Sequence, residues 1–277
     1  PATVAIFAVL GILCHIITYK ETEERFISKK ERVKGDGKKA LSYLFKTGPF
    51  WVLSAYTILS IGGMFLKIGF QLYYFEYALG QDTLVSFVSI LNMVALLPAL
   101  FLSSKLVAMF GKKNLAVLGT GGFAIFEFVN YFFTGDQMTT FLIVNLFSYF
   151  FLSLANTVAF AFVADVMEYT QWKFGLRSEG ITYSAYSFVR KIAQGFAGFL
   201  PGAALTAIGY VANQQQTAET LSGMATVYFL VPAVMSIAAV LIFGPFYKLT
   251  DKRHAEITQE LQERGELYVE KRHKHTS

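Results

Sequence analysis

Long apolar segments separated by polar ones set the pattern of this chain. A helix needs about 20 predominantly apolar residues to cross the hydrocarbon layer of a bilayer, and each segment approaches or exceeds that length. We predict seven transmembrane helices, at residues 2–19, 50–74, 84–107, 115–133, 138–164, 181–210 and 224–247. The chain is therefore predicted to be an all-α, multi-pass membrane protein.

The composition supports a membrane protein and gives no sign of catalysis. Hydrophobic residues make up 54% of the chain and aromatic residues 16%, and the mean hydropathy is +0.46, well above that of a soluble domain. One cysteine excludes an intramolecular disulfide, and the four histidines form no metal-ligand pattern with it. Because no motif of nucleophilic, metal-dependent or nucleotide-driven catalysis occurs, we expect neither an enzyme nor a bound cofactor or metal.

Basic residues are concentrated in alternate loops. They occur in the first, third and fifth loops and after residue 247, whereas loops 78–83, 134–137 and 211–223 contain no Lys or Arg. The positive-inside rule therefore predicts that the basic loops and the C-terminus are cytoplasmic. Because the net charge of +5 is distributed by loop rather than gathered on one face, we expect the lipid bilayer as a partner and no nucleic acid.

The longest polar stretch, residues 20–48, is predicted to separate two helical bundles. We predict a helix at 1–19, a cytoplasmic loop at 20–48, a six-helix bundle at 49–248 and a cytoplasmic tail at 249–277. The chain starts with Pro1, without an initiating Met and inside an apolar run. We therefore expect it to be part of a longer protein.

A polar stripe runs along the sixth predicted span. It consists of Tyr183, Ser187, Lys191, Gln194 and Gly198, which share one helical face by their spacing. Lys191 lies eleven residues beyond Gly180, roughly 17 Å along a helix, which is near the middle of a bilayer. A charge at that depth usually faces a partner, a wet cavity or a substrate path. We expect the stripe to line a water-filled path, with the adjacent Arg190 turned about 100° away from Lys191.

Other polar side chains lie inside the predicted spans. Lys67 and Gln71 share one face of the second span, and Glu127 lies near mid-depth in the fourth, so all three are candidates for lining a cavity. The alternative for Lys67 and Glu127 is a structural ion pair that needs no ligand. Asn145 and Asn156 share a face of the fifth span, where an amide bonds a neighbouring helix more often than a ligand.

A charged segment joins the fifth and sixth spans, and it contains Asp165, Glu168, Arg177 and Glu179. Paired carboxylates can perform acid–base chemistry. At a cytoplasmic turn between helices we instead expect these four side chains to make and break ion pairs, as a gate does. The basic turn at residues 111–114 is either a topology anchor or a charge partner for this segment.

The longest distinctive motif of the chain resembles that of a known carrier family. The motif reads Ala164-Asp-Val-Met-Glu-Tyr-Thr-Gln-Trp-Lys-Phe-Gly-Leu-Arg-Ser-Glu-Gly-Ile-Thr-Tyr-Ser-Ala-Tyr-Ser-Phe-Val-Arg-Lys191. It is similar to that of the glycoside-pentoside-hexuronide:cation symporters, the melibiose-carrier family within the major facilitator superfamily. Supporting matches occur at residues 72–77, 208–210 and 247–256, so the resemblance covers nearly the whole chain.

This resemblance implies a helical bundle equivalent to spans six to twelve of a twelve-helix carrier. Residues 1–19 would be the last helix of the N-terminal bundle, and residues 49–248 the complete C-terminal bundle. Asp165, Glu168 and Arg177 match the cytoplasmic ionic lock of the family.

The resemblance also implies a sugar site on the sixth span. Lys191 matches the essential lysine of the family, and Tyr186 and Ser187 match its sugar-facing neighbours; Tyr183 joins them as a candidate substrate-binding residue. Asn156, a further candidate, stands where the family has an aromatic residue against the sugar. Because asparagine has no ring, position 156 is not expected to stack on the sugar as the aromatic residue of the family does.

The function implied is symport of a sugar or glycoside with Na⁺ or H⁺ across the cytoplasmic membrane by alternating access. The acidic residues that hold the coupling cation in the family are expected in the part of the protein that precedes this chain. Seven spans also fit a seven-helix receptor, although the DRY and NPxxY patterns of the commonest receptors are missing. A non-transporting membrane scaffold is a further alternative.

Overall fold

The structure is a computed structural model that describes residues 2–21, 36–81, 83–134 and 137–265. These residues are mostly helical. The helices are α1 (Ala2–Glu21), α2 (Asp36–Phe45), α3 (Gly48–Tyr73), α4 (Leu84–Phe110), α5 (Lys112–Phe133), α6 (Met138–Thr157), α7 (Ala159–Phe174), α8 (Glu179–Ala207), α9 (Ala218–Ala225), α10 (Val231–Phe246) and α11 (Asp251–Glu263). A π-helical turn, Tyr74–Ala78, follows α3, and a second one, Thr226–Leu230, joins α9 to α10. These residues form no strand, so the predicted all-α class is confirmed.

The chain divides into two units, residues 1–36 and residues 37–277. The first unit contains the apolar helix α1, in which the Thr18 hydroxyl donates to the Cys14 carbonyl at 2.8 Å. The second unit contains the helical bundle. The finer division into 1–19, 20–48, 49–248 and 249–277 stays a prediction, and much of the predicted loop and of the predicted tail lies outside the described residues.

Five described helical segments are long and apolar enough to cross a membrane. They are Gly48–Ala78, Leu84–Phe110, Lys112–Phe133, Met138–Phe174 and Ala218–Phe246. Each corresponds to one predicted span. The predicted span at 2–19 overlaps the shorter apolar segment Ile6–Lys20 of α1. The predicted span at 181–210 overlaps the long helix α8, which carries the polar stripe and is not among these five segments.

Glycine and threonine set several helix ends. Gly111, between α4 and α5, has a φ of +79°, and Gly175, directly after α7, has a φ of +69°. Glycine adopts this left-handed conformation without steric cost, which is why it ends helices so often. Thr250 caps α11 by accepting a hydrogen bond from the Arg253 amide at 3.4 Å. Gly175 therefore ends α7 before α8 begins, and Thr250 marks the beginning of α11.

Within the second unit, α3 packs against α8 and α10, while α5 packs against α6 and α10 and α4 packs against α6. One aromatic cluster of the core contains Phe162, Phe243 and Tyr247; the rings of Phe243 and Tyr247 stack with centroids 4.4 Å apart. A second cluster contains the rings of Tyr74 and Tyr228, which stack at 4.7 Å and join the two π-helical turns. The side chains of α8 that point away from the core, such as Tyr183 and Lys191, are exposed.

The amphipathic helix α11 docks against α7 through the buried side chains Ile257 and Leu261. Trp172 of α7 donates its indole N–H to Glu260 Oε2 at 2.6 Å. The guanidinium of Arg253 lies 5.0 Å from the Trp172 ring centroid, and its hydrogen bond to Glu256 raises the pKa of Arg253. The polar helix after α10 therefore packs onto the bundle through α7.

Candidate functional site

The polar stripe of α8 faces away from the bundle core. The opposite face is buried and carries Thr182, Tyr186, Ala193 and Ala197. On the stripe, Lys191 and Tyr183 are exposed, while Ser187 and Gln194 are half-buried. The two faces are separated because polar and apolar positions in this segment follow the helical period. The structure thus brings four of the predicted site residues onto one accessible wall.

Lys191 is held by its own helix. Its ammonium donates a hydrogen bond to Gln194 Oε1 at 3.1 Å, and it forms no ion pair with any described residue. The i to i+3 spacing of these residues explains the contact. Lys191 therefore presents a positive charge and two further N–H donors to whatever occupies the space beside the wall.

Arg190 points to the side of this wall, towards α7. Its guanidinium carbon lies 5.0 Å from the ring centroid of Phe160, at the start of α7. The Phe160 side chain is 49% exposed. Its ring also lies 6.3 Å from that of Tyr183 and 6.2 Å from that of Tyr186. Sequence reasoning turned Arg190 away from Lys191 but did not single out Phe160.

A depression lies between α3, α5, α6, α7 and α8, and its lining includes Asn156 and Tyr186. Tyr186 is only 1% exposed, so nearly all of its side chain is packed. Its hydroxyl lies 3.5 Å from the Thr57 hydroxyl. Thr57 and the nearby Ser60 are uncharged, which is why sequence reasoning missed them; their three-residue spacing on α3 is the signal that could have found them.

Asn156 lines the depression and makes little contact there. It is exposed, and its Nδ2 lies 3.8 Å from the Met64 sulfur. Asn145, on the same helix, behaves differently: its Nδ2 donates to Asn92 Oδ1 of α4 at 3.1 Å. The preference of amides for a neighbouring helix therefore applies to Asn145. Asn156 keeps its amide available for a ligand.

Lys67 and Glu127 form a buried ion pair. Lys67 Nζ lies 2.6 Å from Glu127 Oε2, and both side chains are 0% exposed. The Ser148 hydroxyl donates to the other carboxylate oxygen, and the ammonium sits 4.0 Å from the Tyr228 ring centroid. Gln71 is also buried and donates to the Val85 carbonyl at 3.3 Å. In this structure none of the three lines an open cavity, because each is enclosed by neighbouring helices.

Charged side chains of α5, α7 and α11 meet at one end of the bundle. Lys112 Nζ lies 2.6 Å from both carboxylate oxygens of Asp165. His254 Nε2 lies 2.9 Å from Glu168 Oε2 and 3.3 Å from Asp165 Oδ1. Thr258 donates to Glu168 Oε2 at 2.9 Å. We call these five residues the charged cluster.

The sequence left open whether the basic turn at 111–114 is a topology anchor or a charge partner of the acidic segment, and the charged cluster bears on this question. The basic turn at 111–114 supplies a charge partner to the acidic segment, through Lys112 and Asp165. Arg177 pairs with Glu179 at 2.6 Å and donates to Gln171 Oε1 at 3.1 Å. Among the described residues it forms no ion pair with Asp165 or Glu168, although its charge helps to lower the pKa of Glu168. His254 was missed because it lies on a helix far along the chain.

The described residues contain no group of His, Cys, Asp and Glu side chains that could hold a metal ion. The polar wall of α8 and the adjoining depression offer hydroxyls, amides, aromatic rings and the two cations Arg190 and Lys191. Such groups bind a polar organic molecule through hydrogen bonds, ring contacts and charge.

Comparisons with known proteins agree with this chemistry. The family model described as MFS/sugar transport protein matches residues 2–251. The chain is 34% identical to an uncharacterized symporter, YjmB, of Bacillus subtilis, over 96% of this chain and 58% of that protein. It is 32% identical to a putative sulfoquinovose importer of Escherichia coli, over 93% of this chain and 55% of that protein. A glucuronide carrier protein homolog of Escherichia coli is 31% identical over 95% of this chain and 57% of its own length.

These relatives share two features. Their names are those of transporters and not of enzymes. The chain spans between half and three fifths of the length of each. The resemblance seen in the motif at 164–191 is confirmed over nine tenths of the chain, and the chain belongs to the family of MFS/sugar transport proteins.

Proposed function

We propose that the protein containing this chain carries a sugar or glycoside across the cytoplasmic membrane together with Na⁺ or H⁺, by alternating access. The observation that carries the proposal is the exposed polar wall of α8 with Lys191 unpaired among the described residues. Family membership supports a carrier and not a seven-helix receptor or a scaffold. In carriers of this type two bundles rock around a site near the middle of the membrane.

The side chains of the polar wall of α8 and of the adjoining depression can bind a sugar. Ser187 and Asn156 can donate to and accept from sugar hydroxyls, and Tyr186, which lines the depression, has a hydroxyl that can do the same. The half-exposed ring of Phe160 can cover the apolar face of a pyranose. A sugar presents both kinds of surface, and so does this wall.

Lys191 is the residue through which we expect cation coupling to act. An ionised side chain near the middle of a bilayer is costly unless it has a partner or water. We propose that Lys191 bonds the substrate when the coupling cation is bound, and bonds carboxylates elsewhere in the protein when it is not. The ammonium would then favour loaded or empty states of the carrier over partly loaded ones.

The charged cluster would act at the cytoplasmic side, as the distribution of basic loops predicts. Asp165 and Glu168 are tied to α5 and α11 in this structure. We propose that these carboxylates exchange partners with basic groups of the other bundle when the cytoplasmic side closes. Arg177, exposed beside Glu179, is available for the same exchange.

Uptake and counterflow of a panel of glycosides by the full-length protein, at varied Na⁺ concentration and pH, test the proposal. Lys191→Ala should lower cation-driven accumulation by about tenfold or more, since hydrogen bonds to charged groups contribute about 1.5–3 kcal/mol. Lys248→Ala is the matched control, because Lys248 is exposed and lies beyond α10. Wild-type accumulation by Lys191→Ala, at an equal amount of protein in the membrane, would refute the role of Lys191.

A further inference from the structure

One side of the short helix α2 is fixed to the bundle. Leu44 is buried in the core. The ring of Tyr43 stacks on that of Phe174, at the end of α7, with centroids 4.6 Å apart. Just beyond the helix, the Thr47 hydroxyl lies 3.3 Å from the Thr170 hydroxyl. Because these contacts hold the inner side of α2, its opposite side faces away from the bundle.

The outward side of α2 combines basic and apolar side chains. Lys38, Leu41 and Phe45 follow one another at steps of three and four residues, so they share this side. Lys39 and Lys46 lie beside them, and all five side chains are exposed. Among the described residues none of the three lysines forms an ion pair, and from Lys38 to Lys46 the sequence contains no Asp or Glu. The positive charge of this side is therefore not balanced within the described bundle.

Trp51, in the first turn of α3, extends the outward side of α2. Its indole N–H donates to the Phe45 carbonyl at 2.8 Å, and the two rings stack with centroids 5.5 Å apart. The indole has no second N–H group, so the rest of its exposed surface is apolar. The Trp51 side chain is 54% exposed. We call the following six residues the α2 surface: Lys38, Lys39, Leu41, Phe45, Lys46 and Trp51.

The exposed side of α3 beyond Trp51 is apolar. Ile58, Ile68 and Leu72 are exposed on the same side of the helix as Trp51. The segment Gly48–Ala78 is long and apolar enough to cross a membrane. A tryptophan at the end of such a span is typical of the boundary between lipid headgroups and hydrocarbon. This side of α3 therefore suits lipid, in contrast to the polar wall of α8, and it places the lysines of α2 at the level of the headgroups.

We propose that the α2 surface is a binding site for an anionic phospholipid of the cytoplasmic leaflet. The three lysines would pair with the oxygens of the headgroup, while Phe45 and Trp51 would contact the upper part of the acyl chains. A zwitterionic lipid brings no net charge to balance three ammonium groups, whereas an anionic lipid does. The site is distinct from the polar wall of α8 and is independent of what the protein carries.

Fluorescence quenching by lipids brominated on their acyl chains tests the proposal. The full-length protein is reconstituted into bilayers of phosphatidylcholine and phosphatidylglycerol in equal amounts, with the bromine on one lipid or on the other. The signal of Trp51 is the difference between the wild type and Trp51→Phe. Quenching should show phosphatidylglycerol enriched beside Trp51 by about fivefold or more, because each lysine near an anionic membrane surface contributes about that factor.

Charge variants of α2 show whether the lysines cause the enrichment. Lys38→Gln, Lys39→Gln and Lys46→Gln combined should make the two lipids quench Trp51 almost equally. The same three positions changed to Arg should keep most of the enrichment, since the charge is kept.

The matched control removes three positive charges from the segment after α10. Lys248, Lys252 and Arg264 are exposed there. Their combined change to Gln should leave the enrichment beside Trp51 unchanged. Each variant is compared with its own Trp51→Phe background, so that other tryptophans of the protein do not contribute.

Three results would overturn the inference. Equal quenching by the two lipids in the wild type would mean that the α2 surface does not select an anionic headgroup. Absence of quenching by either lipid would mean that protein, such as the other bundle, covers Trp51. Loss of the enrichment in the control variant as strongly as in the α2 variant would point to the overall charge of the protein and not to a site. None of these results bears on the proposed sugar transport.

Discussion

Lys67 of α3 and Glu127 of α5 lie 2.6 Å apart with no exposure of either side chain. Ser148 of α6 completes the contact by donating to the same carboxylate. Three helices of the bundle are therefore joined by one charged group that water does not reach. A pair of this kind contributes little over apolar side chains of equal size, but it is very costly to break on one side.

We predict that each single neutralisation destabilises the bundle and that the double one is much less harmful than their sum. Lys67→Met or Glu127→Gln should cost about 3–5 kcal/mol, because each leaves a buried charge or polar group without its partner. Thermal unfolding of the purified full-length protein in detergent measures the effect, with Lys248→Met as the control for loss of an exposed lysine. Fully additive losses in the double variant would show that the two side chains are not coupled.

A second prediction concerns the close packing of α5 on α6. A methyl group at Gly119 would lie 2.6 Å from the Phe151 carbonyl oxygen and 2.7 Å from the Ala155 amide nitrogen, both of them backbone atoms. Small residues let transmembrane helices approach this closely. Gly119→Ala should therefore lower the unfolding temperature, with an overpacking cost of about 1–3 kcal/mol.

Gly121, on the same helix, is the matched control for Gly119. A methyl group there would meet only a Val240 side-chain carbon at 3.9 Å, an ordinary contact. Gly121→Ala should be neutral or stabilising, since Ala favours helix by about 1 kcal/mol over Gly. Equal effects of the two substitutions would mean that α5 and α6 can separate at no cost.

The hydrophobic pattern was enough to predict the main helices, because length and apolarity alone decide whether a segment can cross a bilayer. The polar stripe of α8 followed from periodicity in the same way. Neither the interruption of the fifth span at Val158 nor the π-helical turns could be predicted, since they depend on how neighbouring helices pack. Local sequence does not contain that information.

Pairing between distant residues was only partly predictable. The sequence left open whether Lys112 meets Asp165, because two charges 53 positions apart can be joined only by the fold. The contact between Arg190 and Phe160 was missed for a different reason. A helical wheel gives the direction of Cα–Cβ bonds, whereas a long arginine side chain reaches sideways to the next helix.

The last prediction tests whether Tyr186 touches substrate or only fills space. Its ring is buried, and its hydroxyl lies 3.5 Å from the Thr57 hydroxyl at the depression. If that hydroxyl bonds a sugar, Tyr186→Phe should raise the KM for uptake by about three- to tenfold, the effect of one hydrogen bond worth about 0.5–1.5 kcal/mol. The amount of folded protein should stay the same because the ring is kept.

Tyr131→Phe provides the comparison for that measurement. The Tyr131 hydroxyl lies 3.2 Å from the Thr226 hydroxyl, a contact of the same type that is not part of the depression. Tyr131→Phe should leave both the KM and the amount of folded protein unchanged, because it too keeps the ring. If Tyr186→Phe and Tyr131→Phe give the same KM, the Tyr186 hydroxyl serves packing alone, and the remaining candidates for substrate contact are Ser187 and Lys191 of α8 and Asn156 of α6.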